Sequence, residues 1–311
     1  MKKIISIVKI LFTKKYVCFY FVIIFLSFDF HSHSQTIDYK GLGELPVGKK
    51  VTEFAPGLIT KSETFERVVA FNPDGSELFF STVEEGFSNQ RILISKYVNG
   101  KWKEPEIAEF SKEYNCAEPF ISPNGKQLFF VSNRPPGNGW DFDIWMAQRI
   151  NDGWSEPKRL NENINTNEGE WHPAVSSRGD LYFASARKGG LGNGDLYIAK
   201  IENGNYSKSE NIGAILNTEH NEWDPYIDPK GRYIIFKSDR PGGYGHMDMY
   251  ISLWKNNKWS EPKNLGPLIN TKYMDDTGDV TPDGKYLIFA RRNNWDFMNI
   301  YWIEFDNFFK Q

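Results

Sequence analysis

The chain is poor in cysteine and has no long apolar run beyond its N-terminus. Its two cysteines are Cys18, inside an N-terminal apolar run, and Cys116. Once that run is removed, no intramolecular disulfide can form, and Cys116 is expected to fill a buried strand position. No segment repeats its apolar residues with the 3.6-residue period of an amphipathic helix, so we expect almost no helix in the mature chain.

Enzyme fingerprints and basic clusters are also missing. The sequence contains no P-loop, dinucleotide fingerprint, HExxH motif or nucleophile elbow, and no Ser/His/Asp spacing that indicates a triad. It has no Lys/Arg cluster of the kind that neutralises phosphates, which disfavours nucleic acid as a partner. A cation, a glycan or a protein partner fits the composition better.

The first 34 residues have the layout of a secretory signal peptide. Five lysines precede or flank the apolar run Tyr16 to Phe28, and the small residues Ser32 and Ser34 follow it. The run is shorter than the ~20 residues that span a bilayer as a helix, so cleavage near Ser34/Gln35 is preferred over an uncleaved anchor. No cysteine follows the run, so a lipoprotein anchor is not expected. The sequence predicts an exported protein, periplasmic, cell-surface or secreted, with no transmembrane segment after signal removal.

The mature chain is acidic. Loss of the five leader lysines and of Asp29 takes the formal net charge from −3 to −7. We expect this chain to be monomeric, with a protein or a glycan as its partner.

A repeat of about 50 residues organises the rest of the chain. Turn signals end at Gly75, Gly125, Gly179, Gly231 and Gly284, at spacings of 50, 54, 52 and 53 residues. A fixed period of this size is typical of a propeller or solenoid. In four of these signals proline presets the first turn position, and in all five the glycine accepts the positive φ that follows. Each signal therefore predicts a tight turn between two antiparallel strands.

Each repeat contains four strand candidates, as in one propeller blade. In the second copy they cover residues 118–122, 127–132, 143–149 and 154–160. The second strand is an apolar run in every copy (ELFFST, QLFFVS, LYFAS, YIIFKS, YLIFAR), as expected for a strand covered on both faces. The fourth carries an aromatic residue at matching places, which we interpret as packing between blades: Trp102, Trp154, Tyr206 and Trp259.

The predicted fold is therefore all-β, a single propeller of five four-stranded blades. The repeats cover residues 66–115, 116–169, 170–221, 222–274 and 275–311, and together with the N-terminal segment they form one domain, 35–311. The fifth copy lacks its outer strand. Residues 47–60 resemble the end of the fourth copy and would supply that strand, closing the ring and removing an exposed sheet edge.

The repeats resemble the WD40-like propeller repeats of the TolB type. The resemblance covers residues 66–305 and is strongest from 116 to 271, where SDRPGG, D-[IM]-[WY], WSEP-K and I-N-T recur. This form is similar to that of periplasmic and cell-surface proteins of Bacteroidetes-like bacteria. There the propeller often accompanies a peptidoglycan-binding OmpA-like module and is implicated in envelope assembly. No such module follows Gln311, so envelope anchoring is not expected. Related propellers include lyases that hold a metal with several histidines, and the mature chain has His172, His220 and His246.

Carboxylates concentrate where the first strand of each repeat begins, and in a propeller these strands line a central channel. The candidate ligand-binding residues are Glu66, Glu118, Glu170, His172, Glu222, Asp224, Asp275 and Asp276, with Asp279 nearby. Because residues two apart on a strand face the same way, Glu170 should point with His172, and Glu222 with Asp224. These four are the candidate ligands for Ca²⁺ or another divalent cation.

Three interpretations of the carboxylates stay open. They are structural, they bind a cation, or two of them form the catalytic pair of a glycoside hydrolase or a lyase. Trp171 and Trp223, beside two of the glutamates, suit sugar binding or blade packing. A non-catalytic binding propeller is the preferred function and a carbohydrate-active enzyme the alternative, since the fold alone does not choose.

A pair of opposite charges brackets the loop between the second and third strands. The pairs are Arg134 and Asp143, Arg187 and Asp195, and Arg240 and Asp248, with Glu84 and Arg91 reversed in the first copy. This pattern predicts an ion pair across each hairpin end.

Overall fold

A computed structural model describes residues 37–61, 65–83, 89–137, 139–151, 153–292 and 297–308. The chain divides after Ser34, and the unit Gln35–Gln311 contains all of these residues. The predicted signal peptide, residues 1–34, lies outside them. The described residues form strands, turns and two short 3-10 helices, without an α-helix. Accordingly, they include no helix long and apolar enough to cross a membrane.

The strands follow the predicted repeat. Before and within the first repeat they are β1 (Thr52–Glu53), β2 (Phe65–Phe71), β3 (Glu77–Val83), β4 (Arg91–Val98), β5 (Lys101–Trp102) and β6 (Glu106–Ile107), followed by a 3-10 helix, Glu109–Ser111. The second contains β7 (Cys116–Ile121), β8 (Gln127–Ser132), β9 (Asp143–Ile150), β10 (Gly153–Trp154) and β11 (Lys158–Arg159). The third contains β12 (Glu170–Val175), β13 (Leu181–Ser185), β14 (Asp195–Ala199), β15 (Ile201–Glu202), β16 (Asn205–Tyr206) and β17 (Glu210–Asn211).

The last two repeats continue in the same way. The fourth contains β18 (Glu222–Ile227), β19 (Tyr233–Ser238), β20 (Asp248–Lys255), β21 (Lys258–Trp259) and β22 (Lys263–Asn264). The fifth contains β23 (Asp275–Val280), β24 (Tyr286–Arg292) and β25 (Met298–Glu304), followed by a 3-10 helix, Phe305–Phe308.

Every repeat is an antiparallel meander of three long strands with a short fourth strand on its outer edge. In the second repeat the order is β7-β8-β9, and β11 pairs with β9; β10 forms a small hairpin with the far end of β9. The single fourth strand predicted over 154–160 is thus two two-residue strands. In the fifth repeat the outer position beside β25 is taken by β1, with Thr52 opposite Trp302.

The five first strands contact one another in sequence. β2 contacts β7, β7 contacts β12, β12 contacts β18, β18 contacts β23, and β23 contacts β2. Phe65 also pairs in parallel with Met298, which joins the first and fifth repeats into one sheet. Each first strand therefore contacts two others, and we name the region where the five meet the axis.

The second strands form the core, as predicted from their apolar runs. In β8, Leu128, Phe129, Phe130 and Val131 are fully buried. Because neighbouring sheets cover both faces of such a strand, it does not alternate between apolar and polar residues. The predicted tight turns are confirmed, since all five turn glycines have positive φ, from 69° at Gly231 to 95° at Gly179.

An asparagine fixes the connection that leads from one repeat to the next. Asn165 Oδ1 accepts the backbone N–H of Ile144 at 2.8 Å, and its Nδ2 donates to the carbonyl of the same residue at 3.0 Å. Asn217 and Asn270 make the equivalent bonds in the next two repeats. This side chain satisfies strand groups that would otherwise lack a partner, and it ties the connection to the third strand of the repeat that it leaves.

Candidate functional site

Each first strand contains a β-bulge near its middle. The register shifts between Ala117 and Phe120 in β7 and at the matching place in β2, β12, β18 and β23. In four strands the bulged residue has a left-handed backbone: Val68 (φ 52°), Glu118 (55°), His172 (49°) and Asp224 (53°). Such a φ costs a residue other than glycine about 1 kcal/mol or more. The same local strain in four repeats sets where these side chains point.

Seven polar side chains form what we name the axial cluster. Its members are Arg67, Glu118, His172, Asp224, Lys237, Asp276 and Asp279, and all are buried. Arg67 Nη2 lies 2.7 Å from Glu118 Oε1, 3.6 Å from Asp224 Oδ2 and 3.5 Å from Asp276 Oδ2. One guanidinium therefore links carboxylates from three repeats.

Lys237 is the second cation of the axial cluster. Its Nζ lies 2.7 Å from Asp224 Oδ2, an ion pair rather than a well-aligned hydrogen bond, and it also contacts Asp276. Burial would lower the pKa of this amine, but the charges of Asp224 and Asp276 outweigh burial and raise it. Lys237 therefore stays charged in the interior.

The two aspartates beside Lys237 have pKa values shifted in opposite directions. Burial raises the pKa of Asp224 to about 7 against the opposing charge of Lys237, and Asp276 adds to the rise. Burial acts on Asp276 as well, but Arg67 and Lys237 outweigh it and hold its pKa far below the ordinary range. When the two carboxyls share one proton, the proton therefore resides on Asp224 and the negative charge on Asp276.

His172 joins two sides of the axial cluster. Its backbone N–H donates to Glu118 Oε2 at 2.7 Å, and its Nε2 lies 3.8 Å from Asp279 Oδ1. Burial lowers the pKa of His172, but the contact with Asp279 and the charge of Asp224 raise it by more than burial lowers it, so the net shift is upward. Its Nδ1 is buried without a hydrogen-bond partner among the described residues.

The other predicted acids point away from the axial cluster. Glu170 accepts hydrogen bonds from Thr166, Ser185 and Arg187 within its own repeat. Glu222 has the same set of partners in Thr218, Ser238 and Arg240. Asp275 contacts Thr271 and Arg291, and burial raises its pKa to about 6. Glu66 is the second residue of β2 and is buried.

The predicted pairing of Glu170 with His172, and of Glu222 with Asp224, is therefore wrong. Glu170 belongs to the hydrogen-bonded corner of its repeat, whereas His172 reaches the axis. The physical reason is the bulge, which turns the strand between these positions and breaks the two-residue alternation. The structure instead brings His172 and Asp224 together with Glu118.

The predicted ion pairs across the hairpin ends are also wrong. Arg187 and Arg240 pair with Glu170 and Glu222, at 3.1 and 3.0 Å. The aspartates accept other donors: Asp143 pairs with Arg159, Asp195 accepts the N–H of Leu191, and Asp248 accepts the N–H of Tyr244. Glu84 lies outside the described residues. The arginines therefore bind the glutamates at the strand starts, whereas Asp195 and Asp248 bind backbone N–H groups of the loops.

Arg67 and Lys237 were missed from sequence, although each leaves a signal. Lys237 interrupts the apolar run YIIFKS at the place where the second and third copies have Val131 and Ala184. Arg67 stands where those copies have Ala117 and Trp171. A charge in a strand covered on both faces requires a buried partner, and that requirement marks both residues.

Three members of the axial cluster have the composition of a divalent-cation site. Glu118, His172 and Asp224 each offer one ligand atom within 4.8 Å of the others. However, Arg67 and Lys237 already contact these carboxylates, and an ion would have to displace them. The residue types fit a cation, whereas the charges around them do not favour one.

One end of the molecule exposes large apolar side chains at corresponding loops. The loops between the second and third strands expose Trp140 (63%), Leu191 (52%) and Tyr244 (51%) in the second, third and fourth repeats. These loops contact the connection to the next repeat. In the fourth repeat, for example, the backbone N–H of His246 donates to the Tyr273 carbonyl at 3.2 Å. We name these three side chains the loop face. Trp171, by contrast, lies against Phe142 with ring centroids 4.6 Å apart, as expected for packing.

Comparison with known proteins identifies the fold. No family model matches the sequence, and neither does any curated protein. TolB from Acinetobacter baumannii superposes with a TM-score of 0.51 at 16% identity, over 80% of this chain and 54% of that protein, so the chain spans about half its length. TolB from Agrobacterium tumefaciens gives 0.50 at 16% identity, over 78% of each chain. The chain therefore has the fold of a TolB-type β-propeller, which confirms the resemblance predicted from the repeats.

Proposed function

We propose that this chain is an exported, non-catalytic propeller that binds a protein partner through its loop face. The observation that carries the proposal is the exposure of Trp140, Leu191 and Tyr244 at matching places in three consecutive repeats. A contiguous exposed apolar patch is typical of an interaction surface, and the repeat puts these three side chains on corresponding loops. Tryptophan and tyrosine are also the residues that contribute most to protein interfaces.

The propeller proposed here has five blades and is closed by the N-terminal strand. Support comes from the contacts of β23 with β2 and from the pairing of β1 with β25. Phe54 follows β1 and is buried, with its ring centroid 5.1 Å from that of Trp302. A ring closed in this way has no exposed edge at the junction of its two ends.

Export rests on the sequence of the first 34 residues, which has the order of a signal peptide: basic, apolar, then small residues. The proposed location is the cell envelope or the outside of the cell. A single buried cysteine, Cys116, suits an oxidising compartment because it leaves nothing to mispair with.

The partner is best sought by site-specific photocrosslinking in the cells that naturally produce the chain. A benzophenone side chain is placed at Trp140, Leu191 or Tyr244, and at Trp254 as the control. Trp254 is also exposed, at 44%, but it lies six residues beyond Asp248 along β20, which is ~20 Å away from the loop face. We expect the same discrete crosslinked protein from the three loop positions and none from Trp254. Equal crosslinking from all four positions, or from the control alone, contradicts the proposal.

A carbohydrate-active enzyme is the second candidate, and one observation favours it. Asp224 and Asp276 are neighbouring carboxyls with pKa values displaced in opposite directions, as in acid–base pairs. Both are buried and bound to Lys237, which gives a sugar no access to them in this conformation. Release of reducing ends or unsaturated sugars from a polysaccharide panel by the wild type, lost in Asp224→Asn, would establish the enzyme and overturn the binding proposal.

A further inference from the structure

The second repeat lacks a carboxylate that the third and fourth repeats have. In those repeats the glutamate that begins the first strand binds an arginine: Glu170 binds Arg187, and Glu222 binds Arg240. The matching position in the second repeat is Cys116, and the matching arginine is Arg134. No ion pair connects Arg134 to any residue that the structure describes.

Arg134 is nevertheless buried, with 8% of its surface exposed. Its Nη2 donates to the Phe110 carbonyl at 2.6 Å and to Cys116 Sγ at 3.3 Å, and its Nε donates to Ser132 Oγ at 3.2 Å. Its Nη1 makes no hydrogen bond within the described part of the chain. Nη1 is not among the fully buried polar atoms that lack a partner, so water reaches it, and an anion that replaces this water would supply the counter-charge that the guanidinium lacks.

Aromatic rings supply part of the missing stabilisation. The Arg134 guanidinium carbon lies 4.9 Å from the ring centroid of Trp145, 5.0 Å from that of Tyr114 and 5.4 Å from that of Phe130. Cation–π contacts of this kind stabilise a cation by less than a carboxylate does. They leave the charge of Arg134 available to an anion.

Arg134 lines a groove of about 690 Å³ between the first and second repeats, and Phe79, Phe110 and Trp154 lie along it. The connecting segment beside the groove differs from the later ones. Where later connections have the fully buried Ile164 or Leu216, this one has Phe110, which is only half-buried. The wall of the groove is part apolar and part polar, with exposed charged side chains of both signs beside the aromatic rings, and Arg134 is the buried cation among them. Such a wall has the chemistry of a site for a carboxylate on an apolar body.

We propose that this groove binds a monocarboxylate carried on an aromatic or apolar group, with Arg134 donating to the carboxylate oxygen from Nη1 and the body packed against Phe110 and Trp154. The carboxylate supplies the counter-charge that the glutamate gives in the other repeats, but at Nη1 rather than at Nη2, where Cys116 Sγ lies. Exposed acids on the groove, Glu106, Glu109, Glu113 and Glu156, disfavour ligands with several negative charges. The site is separate from the loop face and does not depend on the partner proposed for it.

The test uses small probes and the indole N–H resonances of Trp145 and Trp154 in the full mature chain. The probes are 3-phenylpropanoate and its neutral amide, with N-acetylphenylalanine as a model for the end of a peptide. We expect saturable shifts at millimolar 3-phenylpropanoate and at least ~10-fold weaker binding of the amide, since a hydrogen bond to a charged group is lost. Tighter binding of N-acetylphenylalanine would assign the site to a peptide C-terminus, and weaker binding would assign it to a free small acid.

Two variants separate the site from general folding effects. Arg134→Gln removes the cation, and Cys116→Glu restores the internal carboxylate of the other repeats; each should abolish the shifts. The control is Arg178→Gln, whose side chain is 84% exposed, and it should bind as the wild type does. If Arg134→Gln does not fold, Cys116→Glu and the acid-to-amide comparison still decide. Absence of saturable binding to the wild type, equal binding of acid and amide, or unchanged binding in a folded Arg134→Gln or Cys116→Glu protein overturns the proposal.

Discussion

Arg67 holds together carboxylates from three repeats, and its removal measures what the axial cluster contributes. In Arg67→Met the side-chain volume is largely kept while the charge is lost. Glu118, Asp224 and Asp276 then stay buried with one cation fewer. Breaking a buried ion pair by removing one partner costs about 3–5 kcal/mol, which for a domain of this size is a fall in melting temperature of about 10 °C.

The assay is thermal unfolding at neutral pH, followed by circular dichroism. Arg178→Met is the matched control, because that arginine is exposed and lies 3.6 Å from Asp180; a surface pair of this kind contributes about 1 kcal/mol or less. The loss in Arg67→Met should shrink in acid, where the carboxyls take up protons and need no counter-charge. Adding Glu118→Gln to Arg67→Met should recover part of the stability. Equal effects of Arg67→Met and Arg178→Met would refute the view that Arg67 stabilises the axis.

Three further predictions follow from the same structure. The folded-state pKa of Asp224 is raised from 3.8 to about 7, so its protonation stabilises the fold fully below pH 4 and this contribution is lost as the pH rises towards 7. Asp224→Asn should therefore gain stability relative to the wild type over this interval. Parallel pH–stability curves for the two proteins would contradict the shift. Deleting residues 47–60 removes β1 and the buried Phe54 and should lower both the melting temperature and the cooperativity of unfolding. A chain that starts at Gln35 should be as stable in its folded unit as one that keeps residues 1–34. The start must not fall after Tyr39, because the ring centroid of Tyr39 lies 5.9 Å from that of Trp302. Millimolar Ca²⁺ or Mn²⁺ should leave the melting temperature of the wild type within ~1 °C, since Arg67 and Lys237 already neutralise the axial carboxylates; a saturable rise, absent from Glu118→Gln, would establish a cation site instead.

The sequence predicts the repeat and its strands well because both depend on local patterns. The turn glycines, the apolar second strands and the outer strand contributed near residue 52 each follow from short motifs whose physical meaning does not depend on distant residues. The TolB-type fold follows from their spacing. Nothing in these elements required knowledge of which side chains meet.

The site was harder to predict, because it depends on a backbone irregularity. The bulged residues adopt positive φ without being glycine, and the available signal is the proline that follows three of them, Pro119, Pro173 and Pro225, since proline inside a strand marks a bulge. Once the bulge is present, the expected partners of Glu170 and Glu222 change. Arg67 and Lys237 could have been found by asking what a buried charge pairs with, but the carboxylates from other repeats that they contact could not.

The bulge also limits how the repeats can be exchanged. Its recurrence means that the backbone offers the same axial position in several repeats, whatever side chain stands there. The side chains at that position differ in charge, from Val68 to Glu118, His172 and Asp224, and they are matched to one another rather than to their own strands. Two repeats could therefore trade places with little change in their sheets and still fail to assemble, because the order of charges around the axis would no longer balance. The backbone of the chain therefore repeats, whereas the side chains along its axis differ from one repeat to the next.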